Sequence, residues 1–289
     1  MNRAGRGMVD ASLAIIIAQI SICVGAALGK GLFPEVGPEG VAALRTGIAA
    51  LILVSLLRPW RSRLSHAQFG WLGLYGLALG GMNLLIYGAF ERLPIGVAVA
   101  IEICGPIAVV VATSRTMRDV LWLTLAVTAI LLLVPWPGAA VKLDAMGMAF
   151  AGGAATCWAL YIVIGKQAST VGSATAVAWG MAFACLLTLP AGMMAAGKGM
   201  LQTQTLAIGL LVALLSSAVP CYLEMKALER LSSRAFSMVI SATPAIAALA
   251  GFSILGERLT PTQWVAICLL IGAGAGCTLA SRPALEHTG

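Results

Sequence analysis

Apolar runs recur along the whole chain, each closed by a few charged, glycine or proline positions. A run of about 17–22 residues is long enough to cross a hydrocarbon core as a helix rising 1.5 Å per residue. The pattern predicts ten spans, at roughly 11–33, 39–57, 69–90, 94–114, 117–135, 145–167, 173–196, 205–228, 232–255 and 261–280. The connections are too short for a soluble domain. The first run follows Arg3 and Arg6, which is how a cleaved leader begins. It is long for a leader and carries Gln19 and Lys30, so it reads as a retained span. The fold class expected is an all-α membrane protein.

The chain also repeats itself. A-F-E-R-L at 89–93 recurs as A-L-E-R-L at 227–231, and a mid-span proline follows each first alanine by 17 residues, Pro106 and then Pro244. L-G-K at 28–30 closes the first span, and I-G-K at 164–166 closes the sixth. The offsets are 138 and 136 residues, so one register serves both landmarks with a two-residue gap. The repeats divide the chain into 1–140 and 141–289. Five spans in each is an odd number, so the halves take opposite orientations. Inverted repeats are a common construction of secondary transporters, with the substrate held between them near the midplane.

Composition agrees with the periodicity. Of 289 residues 60% are hydrophobic and 10% charged, where a soluble domain carries about a quarter charged. The net charge of +7 is scattered singly or in small groups between apolar runs. That distribution suits a lipid bilayer as the partner and argues against nucleic acid. With ten spans, twelve basic residues fall on the side of the termini and six on the other, which puts both termini in the cytoplasm of a bacterial inner membrane. Seven cysteines lie in apolar segments without a CxxC pair or histidine cluster, and read as small packing residues. No phosphate loop, nucleophile elbow or H-E-x-x-H occurs, and no histidine or aspartate stands mid-span. An enzyme is not expected, nor is a cofactor or a metal.

A charge inside a bilayer costs roughly 2.5–3.5 kcal/mol on insertion scales, so each one needs a reason. Glu102 stands mid-span in I-E-I-C-G-P. It either faces a wet cavity, to bind an amino group or carry a proton, or forms a structural pair with Arg45 or Lys30. Glu224, in P-C-Y-L-E-M-K, falls near the cytoplasmic end of the eighth span, where it can serve substrate or reach the interface. Arg45, near the outer start of the second span, is expected to snorkel to the headgroups. Pro106, Pro220 and Pro244 each remove a helical hydrogen bond, which is tolerable in the protein interior or beside a cavity. They read as kinks that gate a pathway or as static bends. Trp158 and Tyr161 are three apart on one helix face and could floor a cavity, with Gln19, Ser21, Asn83, Tyr87 and Tyr222 as further lining. Interhelical packing is the alternative for each of these. Gly25/Gly29, Gly76/Gly80 and Gly272/Gly276 have the spacing of close helix contacts within a bundle.

With these residues in view the sequence resembles a known family. Its two five-span repeats are similar to the paired EamA units of the drug/metabolite transporter superfamily, and G-E-R-L-T-P-T-Q-W at 256–264 is typical of the second unit's end. Within that superfamily four segments resemble the bacterial threonine/homoserine exporters. They are 93–106, 157–162, 219–228 and 244–264. Ile103 departs from the phenylalanine that this group often carries after the glutamate, and aromatic amino-acid exporters are also similar. The resemblance implies ten helices around a central cavity lined by spans 1, 3, 4, 6, 8 and 9. It implies substrate contact by Gln19, Asn83, Tyr87, Glu102, Trp158, Tyr161, Tyr222 and Glu224, and export of a small amino acid by alternating access.

Overall fold

A computed structural model describes residues 3–113, 117–133 and 144–232, and much of 236–272. Every regular element among them is helical: α1 (Arg3–Lys30), α2 (Phe33–Leu57), α3 (His66–Arg92), α4 (Ile95–Glu102), α5 (Cys104–Thr113), α6 (Met117–Leu133), α7 (Ala145–Ala168), α8 (Ser173–Ala196), α9 (Thr203–Ala213), α10 (Val219–Arg230) and α11 (Thr243–Leu255), with short 3₁₀ turns between some of them. A π-helical turn, Leu214–Ala218, joins α9 to α10. Among the described residues six helices are long and apolar enough to cross a membrane: Asp10–Lys30, Phe33–Leu57, His66–Arg92, Ala145–Val171, Ser173–Ala196 and Thr203–Arg230. Ile95–Val109 and Thr243–Leu255 are shorter apolar helices. The expected tenth span, at 261–280, falls largely outside the described residues.

Local chemistry sets the helix ends. In α2 the backbone leaves the helical region at Gly37, with φ +68°, a conformation that costs glycine little. Pro38 follows, suited to a first turn because it has no N–H to leave unsatisfied. The long part of α2 therefore starts at Pro38, and Arg45 stands two turns inside it. Ser65 and Gln68 close a capping box at the start of α3. Asp144 caps α7 through the Met146 N–H and pairs with Arg92, at the end of α3, at 2.9 Å.

The two A-x-E-R-L motifs fold alike. α3 and α10 end at Arg92 and Arg230. Leu93 and Leu231 then turn extended, and each keeps its N–H on the carbonyl of the motif's first alanine at 2.8 Å. The two G-K landmarks meet these corners. Lys30 donates to the Leu93 carbonyl at 3.4 Å. Lys166 donates to the carbonyls of Leu228 and Leu231 at 2.6 and 2.9 Å. A lysine at the end of one helix thus satisfies carbonyls at the end of another, where the helix dipole also favours a cation.

Packing pairs α1 with α10, α2 with α8, α3 with α7, and α4 with α11. Small residues permit the approach. A Cβ added to Gly25 would lie 2.7 Å from the Cβ of Ser216, and one added to Gly105 would strike the Ala155 carbonyl. Gly76 and Gly80 press in the same way against α8, at Gly180 and Ala184; Gly276 lies outside the described residues. Large apolar side chains such as Leu51, Leu56, Leu186 and Met194 point outward. In water this would be unstable; in hydrocarbon it is the expected arrangement.

Candidate functional site

The prolines shape the middle of the bundle. A proline at position i offers no N–H to the carbonyl at i−4 and crowds it. For Pro106 that carbonyl belongs to Glu102, which is where α4 ends before the break at Ile103. For Pro220 it belongs to Ser216, inside the π turn, and the Arg45 guanidinium donates to it through Nη2. The neighbouring Leu215 carbonyl accepts from Ser21 Oγ at 2.5 Å. For Pro244 it belongs to Ile240, and Thr243 Oγ1 donates to it at 2.6 Å. Two of the three carbonyls are thus matched by side-chain donors.

These elements surround a cavity of about 660 Å³, counting its open mouth. Gln19 reaches it from α1, Asn83 from α3, Glu102 from α4, Trp158 from α7, Glu224 from α10 and Thr243 from α11. Arg45 adds α2 to the lining, and Leu79, Met82, Ile86, Phe90 and Val99 make much of the wall apolar. Spans 1, 3, 4, 6, 8 and 9 therefore line it as the sequence leads one to expect, and span 2 does so as well.

The two glutamates are held differently. Glu224 is 4% exposed, and both its oxygens are engaged: Gln19 Nε2 donates to Oε1 at 2.6 Å and Tyr161 OH donates to Oε2 at 2.8 Å. Thr243 Oγ1 donates to Gln19 Oε1 at 3.0 Å, so one chain of bonds links α1, α7, α10 and α11. Glu102 is 6% exposed, and no described residue forms a hydrogen bond or ion pair with its carboxylate. Of the expected alternative pairings, the one with Arg45 forms no hydrogen bond or close ion pair.

Arg45 departs most from expectation. It does not snorkel outward but is 6% exposed on the cavity wall. Its Nε donates to Ser217 Oγ at 2.8 Å, its Nη2 donates to the Ser216 carbonyl, and its guanidinium lies 5.2 Å from the Tyr87 ring centre. Its charge acts on both carboxylates, yet it forms no close ion pair with either. Tyr87 is fully buried behind it rather than lining the cavity, and Tyr161 is buried behind Glu224. Tyr222 leaves the set. It packs partly buried on the larger core cluster, with Lys226 Nζ 5.9 Å from its ring centre. Position 222 is two residues from Glu224 and so turns to another helix face, whereas Cys221, three away, lines the cavity. Glu224 itself belongs to the cavity and not to the interface. Thr243 and Ser216 are lining residues that the sequence reading passed over.

A central cavity with two acids and one base, enclosed by apolar helices, defines a carrier of small polar solutes. Comparison with known proteins agrees. Residues 145–279 match the EamA-like transporter family. The chain is 43% identical over 270 residues to the threonine/homoserine exporter RhtA of Salmonella typhimurium (strain LT2), covering 93% of this chain and 92% of that one. It is 42% identical over 268 residues to the RhtA of Escherichia coli K12, covering 93% and 91%. The chain belongs to the EamA-like transporter family. A crystal structure of another protein matches with a TM-score of 0.70 at 19% identity, covering 96% of this chain and 99% of that one, a likeness of fold alone.

Proposed function

We propose that this protein exports small amino acids of the threonine and homoserine kind across the bacterial inner membrane by alternating access. The observation that carries this reading is the identity of over two residues in five, along nine-tenths of the chain, with threonine/homoserine exporters. The cavity supplies matching chemistry. Glu102 is a buried acid with no hydrogen-bond or ion-pair partner among the described residues, and an ammonium group entering the cavity gives it one. Apolar lining then takes the short side chain, and the proline-interrupted elements around Pro106, Pro220 and Pro244 gate the path.

Ten spans in two inverted halves, 1–140 and 141–289, are the architecture behind this mechanism. Exchanging the halves turns the α1–α10 contact into the α7–α3 contact, and maps α2–α8 and α4–α11 each onto itself. All four pairs occur in the packing. The matched lysine-to-leucine contacts, Lys30 with Leu93 and Lys166 with Leu231, support the same exchange. Both termini then face the cytoplasm, as the distribution of basic residues suggests.

Cells overproducing the protein are expected to grow at threonine or homoserine concentrations that inhibit the parent strain, and to release preloaded amino acid faster. Efflux equal to that of an empty vector, for every amino acid tried, removes the reading.

A further inference from the structure

We infer that Arg45 receives the carboxylate of the transported amino acid, so that the cavity holds its substrate by both charged ends and selects for an intact zwitterion. The inference rests on the amino-acid reading above and extends it to specificity.

A guanidinium has five N–H donors in a fixed fork. In Arg45 the Nε–H is used by Ser217 Oγ and one Nη2–H by the Ser216 carbonyl, which leaves three donors on a side chain that lines the cavity. The two bonds fix the direction of the group, and the Tyr87 ring 5.2 Å away backs it. Such a charge is costly inside a bilayer, and the two bonds it makes go to neutral partners, so neither neutralises it. Glu102 and Glu224 share the same cavity, and neither forms an ion pair with it. Glu224 has both oxygens engaged by Gln19 and Tyr161, which keeps it from folding onto the guanidinium. Base and free acid therefore stand apart in one cavity, which suits a ligand carrying the opposite charges on neighbouring atoms. A planar carboxylate matches the fork of an arginine better than a lysine's point charge does.

The test varies ligand and residue together, in proteoliposomes of the full chain. Competition against labelled threonine counterflow compares threonine with threoninol, the same molecule with its carboxylate replaced by an alcohol, on the unaltered protein and on Arg45→Gln and Arg45→Lys. A hydrogen-bonded charge contact is worth roughly a 10- to 100-fold change in affinity. Threoninol is expected to compete that much more weakly than threonine on the unaltered protein. Arg45→Gln should weaken threonine to the level of threoninol and leave threoninol within about threefold, with Arg45→Lys between. Equal competition by threonine and threoninol on the unaltered protein overturns the inference without any variant, so a poorly folded Arg45→Gln cannot shelter it. Loss of both ligands in parallel in a variant that keeps its thermal stability overturns it too. Absence of threonine counterflow in the unaltered protein is a different failure, since it removes the amino-acid reading itself.

Discussion

Glu102 and Glu224 line a single cavity but are held in two different ways. Glu224 is tied at both oxygens, so Glu224→Gln leaves a buried donor without its acceptor and should cost about 1–3 kcal/mol of stability. Glu102 loses no hydrogen bond in the same substitution. Glu102→Gln should therefore keep its thermal stability while transport falls tenfold or more, and Glu102→Asp should be milder. Thermal unfolding and counterflow on the same purified variants check both expectations; a destabilised Glu102→Gln that transports normally makes Glu102 part of the scaffold. Glu102 was legible in the sequence because an acid in the middle of an apolar run has few explanations. Arg45 was not. The apolar run around it begins near residue 39, which puts Arg45 close to an expected span end, and snorkelling explains most such arginines. Its burial depends on the Ser216 carbonyl freed by Pro220 and on the Ser217 hydroxyl, partners about 170 positions away that no local pattern reveals. Tyr222, expected as lining, packs on the core instead. The helical period turns it away from Glu224, two residues on, which does line the cavity.

At the scale of elements, two devices join helices: prolines that release carbonyls, and side chains from other helices that accept the role of donor. Pro220→Ala would restore an N–H for the Ser216 carbonyl in competition with Arg45. It should straighten the α9–α10 junction and reduce transport severalfold, with little loss of folded protein. Lys166→Met removes a cation from two carbonyls at the end of α10 and should lower stability by about 1 kcal/mol. Unfolding in one detergent at fixed ionic strength measures it. At the mouth of α7 the Arg92 hydrogen bond, and then the Met146 N–H, hold the Asp144 carboxyl below its ordinary value. A carboxyl depressed by folding adds stability above its unfolded pKa, and that stability is lost as pH falls through the folded value. Asp144→Asn should flatten this acid limb of the stability curve, and because the pair is exposed, salt should weaken the effect in the parent protein. Helix existence was well marked in the sequence by long apolar runs. The break at Ile103 and the π turn at Leu214–Ala218 were not, since both arise where a proline meets tight packing, as at Gly105 against Ala155.

For the whole molecule, the two short landmarks that suggest an internal repeat fold into matching corners. In each, the lysine, the helix-ending leucine and its alanine form one corner. The proposed inverted halves make an orientation prediction. Single cysteines introduced near Arg92 in a cysteine-free background should label with an impermeant reagent from the periplasm, and those near Arg230 from the cytoplasm alone. Labelling of both from one side would contradict the inverted halves. The claim that unites the three scales is that this cavity carries amino acids across the membrane, and one measurement bears on it most directly. Purified protein in sealed vesicles loaded with unlabelled threonine should accumulate labelled threonine or homoserine transiently above the level of protein-free vesicles, and Glu102→Gln should abolish the overshoot. Uptake no greater than that of protein-free vesicles, across a panel of small and aromatic amino acids and with the protein shown to be folded, would contradict the account.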